Sequence, residues 1–105
     1  MNSYRVTFSR EFDRRLAEIE RDYLGFGPAQ TARYILEIID RCDRLEILPY
    51  RFSTVAINGI ELHSFTHKAH RAFYRVNEPA KTVEIVTVLH RAMRPEKNAD
   101  IKQNR

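Results

Sequence analysis

The chain has 105 residues, 43% apolar and 30% charged with a net charge of +4, which suits one folded domain and excludes wholesale disorder. Its single cysteine, Cys42, excludes an internal disulfide, and no run approaches the roughly 20 apolar residues that a membrane span needs. The basic balance suits an acidic partner, nucleic acid or protein, as readily as it suits a plain basic surface.

Met1-Asn2-Ser3-Tyr4-Arg5 lacks the apolar stretch of a signal peptide, so a cytoplasmic protein is expected. Tyr4, Val6 and Phe8 alternate with polar residues, which predicts a half-buried strand. Ser9 follows as an N-cap, with Glu11 and Asp13 where the helix dipole favours negative charge. Phe12, Leu16, Ile19 and Tyr23 then form one apolar stripe, and Gly25 is expected to close this first helix in the left-handed conformation. A second helix is predicted from about Ala29 to Leu48, with Pro28 in its first turn and Pro49 as its stop. The two make an antiparallel hairpin with charged outer faces. Cys42 falls in the apolar pattern of the second helix and reads as a buried core thiol.

Beyond Pro49 the pattern changes to strands. Asn58-Gly59 is a strong turn dipeptide, read here as a turn feeding a strand at about 60–65 rather than a full hairpin. Thr66-His67-Lys68-Ala69 is expected as a polar loop. Strands follow near 70–77 and 81–90, and the short link Glu78-Pro79-Ala80 makes them antiparallel. The second is apolar on both faces, Val83, Ile85 and Leu89 against Val86 and Val88, which suggests the central strand. The fold class is α+β: an N-terminal strand, a two-helix hairpin, then antiparallel strands in one sheet packed on the helices. Residues 1–95 are expected as a single domain, and 96–105 as a polar tail, disordered or ordered by a partner.

The ribbon from His70 to Pro95 interleaves basic and apolar residues most tightly. Period-two geometry puts Arg71, Phe73 and Arg75 on one strand face, where the arginines could grip phosphates or carboxylates and Phe73 could stack a base. The same pattern fits Phe73 packed under the helices with two rim arginines. His90 ends the most apolar strand, as a general base or as a hydrogen-bonded fixture. His63, His67, His70 and His90 lack the further ligands a structural zinc needs, so no metal and no cofactor is expected. Phosphate-cradling glycine loops, metalloprotease helices and nucleophile elbows are missing.

Taken in order, Tyr4-Arg5-Val6-Thr7-Phe8-Ser9 with Phe12 and Leu16, the stretch Ala32 to Leu48-Pro49, Arg71-Ala72-Phe73-Tyr74-Arg75-Val76, and Val86-Thr87-Val88-Leu89-His90 with Pro95 resemble the ParE/RelE toxin superfamily of type II toxin–antitoxin and plasmid stabilization modules. The resemblance implies a toxin neutralised by a cognate antitoxin that wraps its surface, with operator DNA bound only through the complex. It also implies one of two targets. RelE-like members cleave mRNA on the ribosome with basic residues and a C-terminal tyrosine or histidine, whereas ParE-like members inhibit DNA gyrase and block replication.

The residues lean toward the ParE-like branch. Residues 50–66 hold no lysine and no tyrosine follows Tyr74, while His90 falls where ParE-like chains often carry histidine. Arg91 and Arg94 depart from the branch's usual His-x-x-Arg spacing. The expected target- or antitoxin-binding residues are Arg71, Phe73, Arg75, His90, Arg91 and Arg94. In an RNase, Arg71 and Arg75 would hold phosphate and His90 would move the proton.

Overall fold

The computed structural model describes residues 3–95. Its elements are β1 Arg5–Phe8, α1 Arg10–Tyr23, a 3₁₀ turn Leu24–Phe26, α2 Pro28–Asp43, a second 3₁₀ turn Arg44–Glu46, β2 Thr54–Ile57, β3 Ile60–His67, β4 His70–Asn77 and β5 Thr82–His90. The five strands form one mixed sheet in the order β1-β5-β4-β3-β2, with β1 parallel to β5 and every other pair antiparallel. Both helices pack on one sheet face. The tail expected at 96–105 lies outside the described residues.

Ser9 does the work predicted of it and more. Its hydroxyl oxygen accepts from the Phe12 N–H at 2.9 Å, capping α1, and its O–H donates to the Val86 carbonyl at 2.6 Å. One side chain thus starts the helix and fastens it to β5. The Phe12 and Ile19 stripe of α1 and the Ile38, Cys42 and Leu45 stripe that follows meet Phe65, Ala72, Tyr74, Val83, Ile85 and Val88 of the sheet in the main core. Full burial of each such aliphatic or aromatic side chain stabilises by about 1.5–3 kcal/mol. Cys42 is fully buried, and desolvation pushes its thiol up to about 12, so it is a core residue and a poor nucleophile.

Several local expectations are corrected. The left-handed glycine is Gly27, with φ 117°, at the entry to α2, while Gly25 lies inside the 3₁₀ turn. The Thr31 hydroxyl contacts the Tyr23 carbonyl at 2.8 Å and the Gly27 carbonyl at 2.9 Å, so the inter-helix link is tied from α2. Helix α2 ends at Asp43 rather than Leu48, because the chain tightens through Arg44–Glu46 to drive Leu45 into the core. The Pro49 carbonyl then accepts from the buried Tyr74 hydroxyl at 2.7 Å.

Asn58 and Gly59, with φ of 53° and 80°, form the positive-φ pair of a two-residue hairpin, so β2 and β3 are a full hairpin. The loop expected at 66–69 shrinks to Lys68-Ala69, because Thr66 and His67 remain in β3 opposite Arg71 and His70. The middle strand is β4, not β5, which is flanked by β1 and β4. A bulge also breaks the alternation of β5. Phe73 pairs with Thr87 but Tyr74 pairs with Ile85, so Val86 is the extra residue. Val83, Ile85 and Val88 therefore face the helices, whereas Val86 and Leu89 join Ile57, Leu62 and Phe73 in a second cluster on the opposite face.

Candidate functional site

The outer face is the one turned away from the helices, and β4 sets its chemistry. Arg71, Phe73 and Arg75 share it as the period-two reading requires. Phe73 is neither exposed nor beneath the helices. It is 1% exposed, within the outer-face cluster, and the Arg71 guanidinium lies over its ring at 4.9 Å. Arg71 Nε donates to Ser64 Oγ at 3.0 Å across the β3–β4 ladder. Ring below and hydroxyl beside leave the Arg71 fork held in place, with its two terminal nitrogens unpartnered among the described residues. Such a fork is pre-organised for a carboxylate or phosphate.

Arg75 is differently placed. Its Nε donates to Glu84 Oε1 at 2.7 Å, so its charge is largely matched within the sheet. It lines a broad trough, about 790 Å³, with Arg5 and Thr7 of β1 and Thr82 of β5. Arg75 is four positions beyond Arg71 along the strand, about 13 Å at ordinary strand rise.

His90 belongs to the other side. It pairs directly with His70, whereas Arg71 pairs with Leu89, and its ring meets that of His70 edge-on at 5.5 Å. The backbone N–H of Ala92 donates to His90 Nδ1 at 3.1 Å. Arg91 and Arg94 follow β5 as exposed residues, and the Arg91 N–H closes onto the Ala69 carbonyl at 2.8 Å. The structure thus joins Arg71 with Phe73 and separates both from His90.

Around His70 lies a cluster that the sequence reading missed. His70 is 5% exposed, and its Nδ1 is 2.6 Å from the Tyr34 hydroxyl, which also donates to the His67 carbonyl at 3.3 Å. Tyr23 stacks on Tyr34 with ring centres 5.5 Å apart, and His67 Nε2 meets Glu37 Oε1 at 2.8 Å. Burial, then the nearby His90 and His67, hold His70 down to about 4, while burial raises the Tyr34 phenol. Glu37 is held below the usual carboxylate range by the His67 hydrogen bond, then by Lys68. The missed signal was the pairing of His67 with His70, which the expected 66–69 loop concealed. A second knot closes the far end of the sheet: Glu78 accepts from Lys81, from Tyr50 at 2.5 Å and from Tyr4 at 2.8 Å. Those hydrogen bonds, Lys81 first, bring Glu78 down to about 2.

Among the described residues no group of three or more His, Cys, Asp or Glu could hold a metal, and no helix is long and apolar enough to cross a membrane.

This arrangement, two helices on one face of a five-stranded sheet, recurs in solved toxin–antitoxin structures. A chain of the RelBE2 complex from Mycobacterium tuberculosis matches with a TM-score of 0.67 at 23% identity, covering 89% of this chain and 97% of that one. A chain of the chromosomal ParDE system from P. aeruginosa matches with a TM-score of 0.72 at 15% identity, over 84% and 96%. The archaeal RelE–RelB complex from Pyrococcus horikoshii gives 0.53 at 20% identity, over 88% and 99%. At these identities the likeness shows the fold. No curated protein matches the sequence. The model of the ParE toxin of the type II toxin–antitoxin system parDE matches residues 6–95, and the chain belongs to that family. It is a toxin of a type II toxin–antitoxin module.

Proposed function

We propose that this toxin inhibits DNA gyrase and so blocks replication, and that a cognate antitoxin neutralises it in the cytoplasm. The observation that carries the reading is the division of the basic groups between the two sheet faces. Cutting RNA requires charge stabilisation and proton transfer at one point. Here the Arg71 fork, unpartnered at its terminal nitrogens among the described residues, is on the outer face, Arg75 is matched by Glu84, and His90 projects to the helix side. A protein grip needs only a shaped surface with fixed anchors, and Arg71 over Phe73, with Arg75 further along the same strand face, supplies one. The antitoxin is the partner expected of the family, and operator DNA is reached only through the complex.

The alternative, ribosome-dependent mRNA cleavage, is favoured by one feature, the phosphate-ready Arg71 fork, and by the RelE-type fold. The two separate in cells. On induction without antitoxin, thymidine incorporation should fall while methionine incorporation continues. Early loss of methionine incorporation with new mRNA 5′ ends would move the assignment to the RelE-like side, and normal growth would remove the toxin reading as a whole.

A further inference from the structure

The bulge at Val86 re-aims one side chain. Val83 and Ile85 face the helices, and unbroken alternation would send Thr87 the same way. The extra residue instead pairs Thr87 with Phe73, which turns Thr87 to the outer face. Phe73 also pairs with Ser64 of β3. Ser64, Phe73 and Thr87 therefore stand in one row across three strands, a hydroxyl residue on each side of the ring, and the Arg71 guanidinium lies over that ring at 4.9 Å.

The two hydroxyls differ in their partners. Ser64 Oγ accepts from Arg71 Nε at 3.0 Å. Thr87 is 0% exposed, and its Oγ1 is buried with no hydrogen-bond partner among the described residues. Burying a hydroxyl in this state is unfavourable, and a valine, of the same shape without the oxygen, would avoid the cost. The terminal nitrogens of Arg71 are unpartnered among the described residues as well. Donors without an acceptor thus occur side by side, on a different strand each.

What the row lacks is an acceptor. The carboxylate of Glu84, on this face, is engaged by Arg75. A planar anion seated on the fork would accept two bonds from Arg71, and Thr87 can supply a third donor by rotation about its Cα–Cβ bond. Leu62, Leu89 and Phe73, all buried, keep the surroundings apolar, which strengthens each of those bonds. One unmatched charge in such a setting fits a single carboxylate. A nucleic-acid strand would bring a charge on every nucleotide, and the next outer-face cation along β4, Arg75, is already matched. We infer that Arg71, Phe73 and Thr87 form a carboxylate site that takes a glutamate or aspartate side chain of a protein partner. This rests on the reading of the outer face as a protein grip, and it assigns Thr87 a part in that grip.

The test uses the full chain, isotopically labelled, titrated with N-acetyl-glutamate N-methylamide while the Arg71 Nε–H and Thr87 methyl signals are followed by NMR. The expected result is a saturable shift of both, absent with the corresponding glutamine compound. Affinity should fall about tenfold in Arg71→Lys, which keeps the charge and loses the fork, and about tenfold in Thr87→Val. The thermal midpoint of Thr87→Val should equal or exceed that of wild type, which separates a lost ligand bond from lost packing. Single-stranded hexathymidylate at about 0.15 M salt should bind these groups more weakly than the glutamate compound. The inference is overturned if the shifts do not saturate, if the glutamine compound reproduces them, or if hexathymidylate binds more tightly. It is equally overturned if Thr87→Val binds as wild type does or melts below it. Gyrase takes no part in this titration, so saturable binding alongside unimpaired supercoiling would remove the gyrase reading and leave the carboxylate site standing.

Discussion

Burial of His70 should make the stability of this protein fall as pH drops from neutral to 4. The folded-state value, about 4, is below the ordinary 6.5, so protonation favours the unfolded chain between the two. Stability is full above pH 6.5, declines as pH falls to about 4, and levels below it. At about 1.4 kcal/mol per pH unit the span is worth about 3 kcal/mol, and solvent in the adjoining cleft screens this to ~2 kcal/mol. That corresponds to a fall of roughly 10 °C in the thermal midpoint of a chain of this size. The upper window, from 6.5 to 4.5, isolates the effect, because Glu37 and Glu78 are held below their ordinary 4.5 and lose their contribution only below it. Thermal melts of wild type and His70→Phe at pH 7, 6, 5 and 4 provide the comparison. The variant should be flat from pH 6.5 to 4.5 where wild type declines. Parallel curves would refute the reasoning, whatever the absolute stability of the variant.

Three further outcomes are expected. Glu78→Gln should lower the melting temperature at pH 7, but the gap from wild type should close as pH falls from 4.5 toward 2, since a depressed carboxyl contributes only while ionised; a constant gap in pH-resolved melts would contradict this. Phe73→Ala should cost about 3–5 kcal/mol in urea unfolding, the ordinary range for deleting a buried aromatic ring, and a cost below 1 kcal/mol would mean the outer-face cluster is not packed as described. Ser64→Ala removes the hydroxyl that orients Arg71 and should reduce growth inhibition while unfolding free energy changes by less than about 1 kcal/mol; full toxicity would show that the Arg71 fork needs no such support.

Much of the fold was legible because the signals were local. Ser9 as a cap, the Phe12 to Tyr23 stripe, the short 78–80 link and the family motifs each needed only a few neighbouring residues. What escaped depended on register. The bulge at Val86 leaves no mark in an apolar run, yet it exchanges the faces of every residue after it, which is why Val88 and Leu89 were assigned to the wrong sides. The Ser64–Arg71 bond and the Tyr34–His70 contact likewise join residues 7 and 36 apart in sequence. Arg71, Phe73 and Arg75 could be placed on one face from alternation alone. That Arg71 would have no carboxylate partner among the described residues while Glu84 matched Arg75 could not, because it follows from which β5 residue stands opposite each arginine.

The most direct test of the central claim is supercoiling of relaxed plasmid by purified gyrase, titrated with wild-type toxin and with Arg71→Ala. The account predicts inhibition by the wild type, reversal by antitoxin, and clear weakening in the variant while its thermal midpoint is retained. Unimpaired supercoiling at saturating wild-type toxin, with mRNA cleavage in a translating extract, would contradict it.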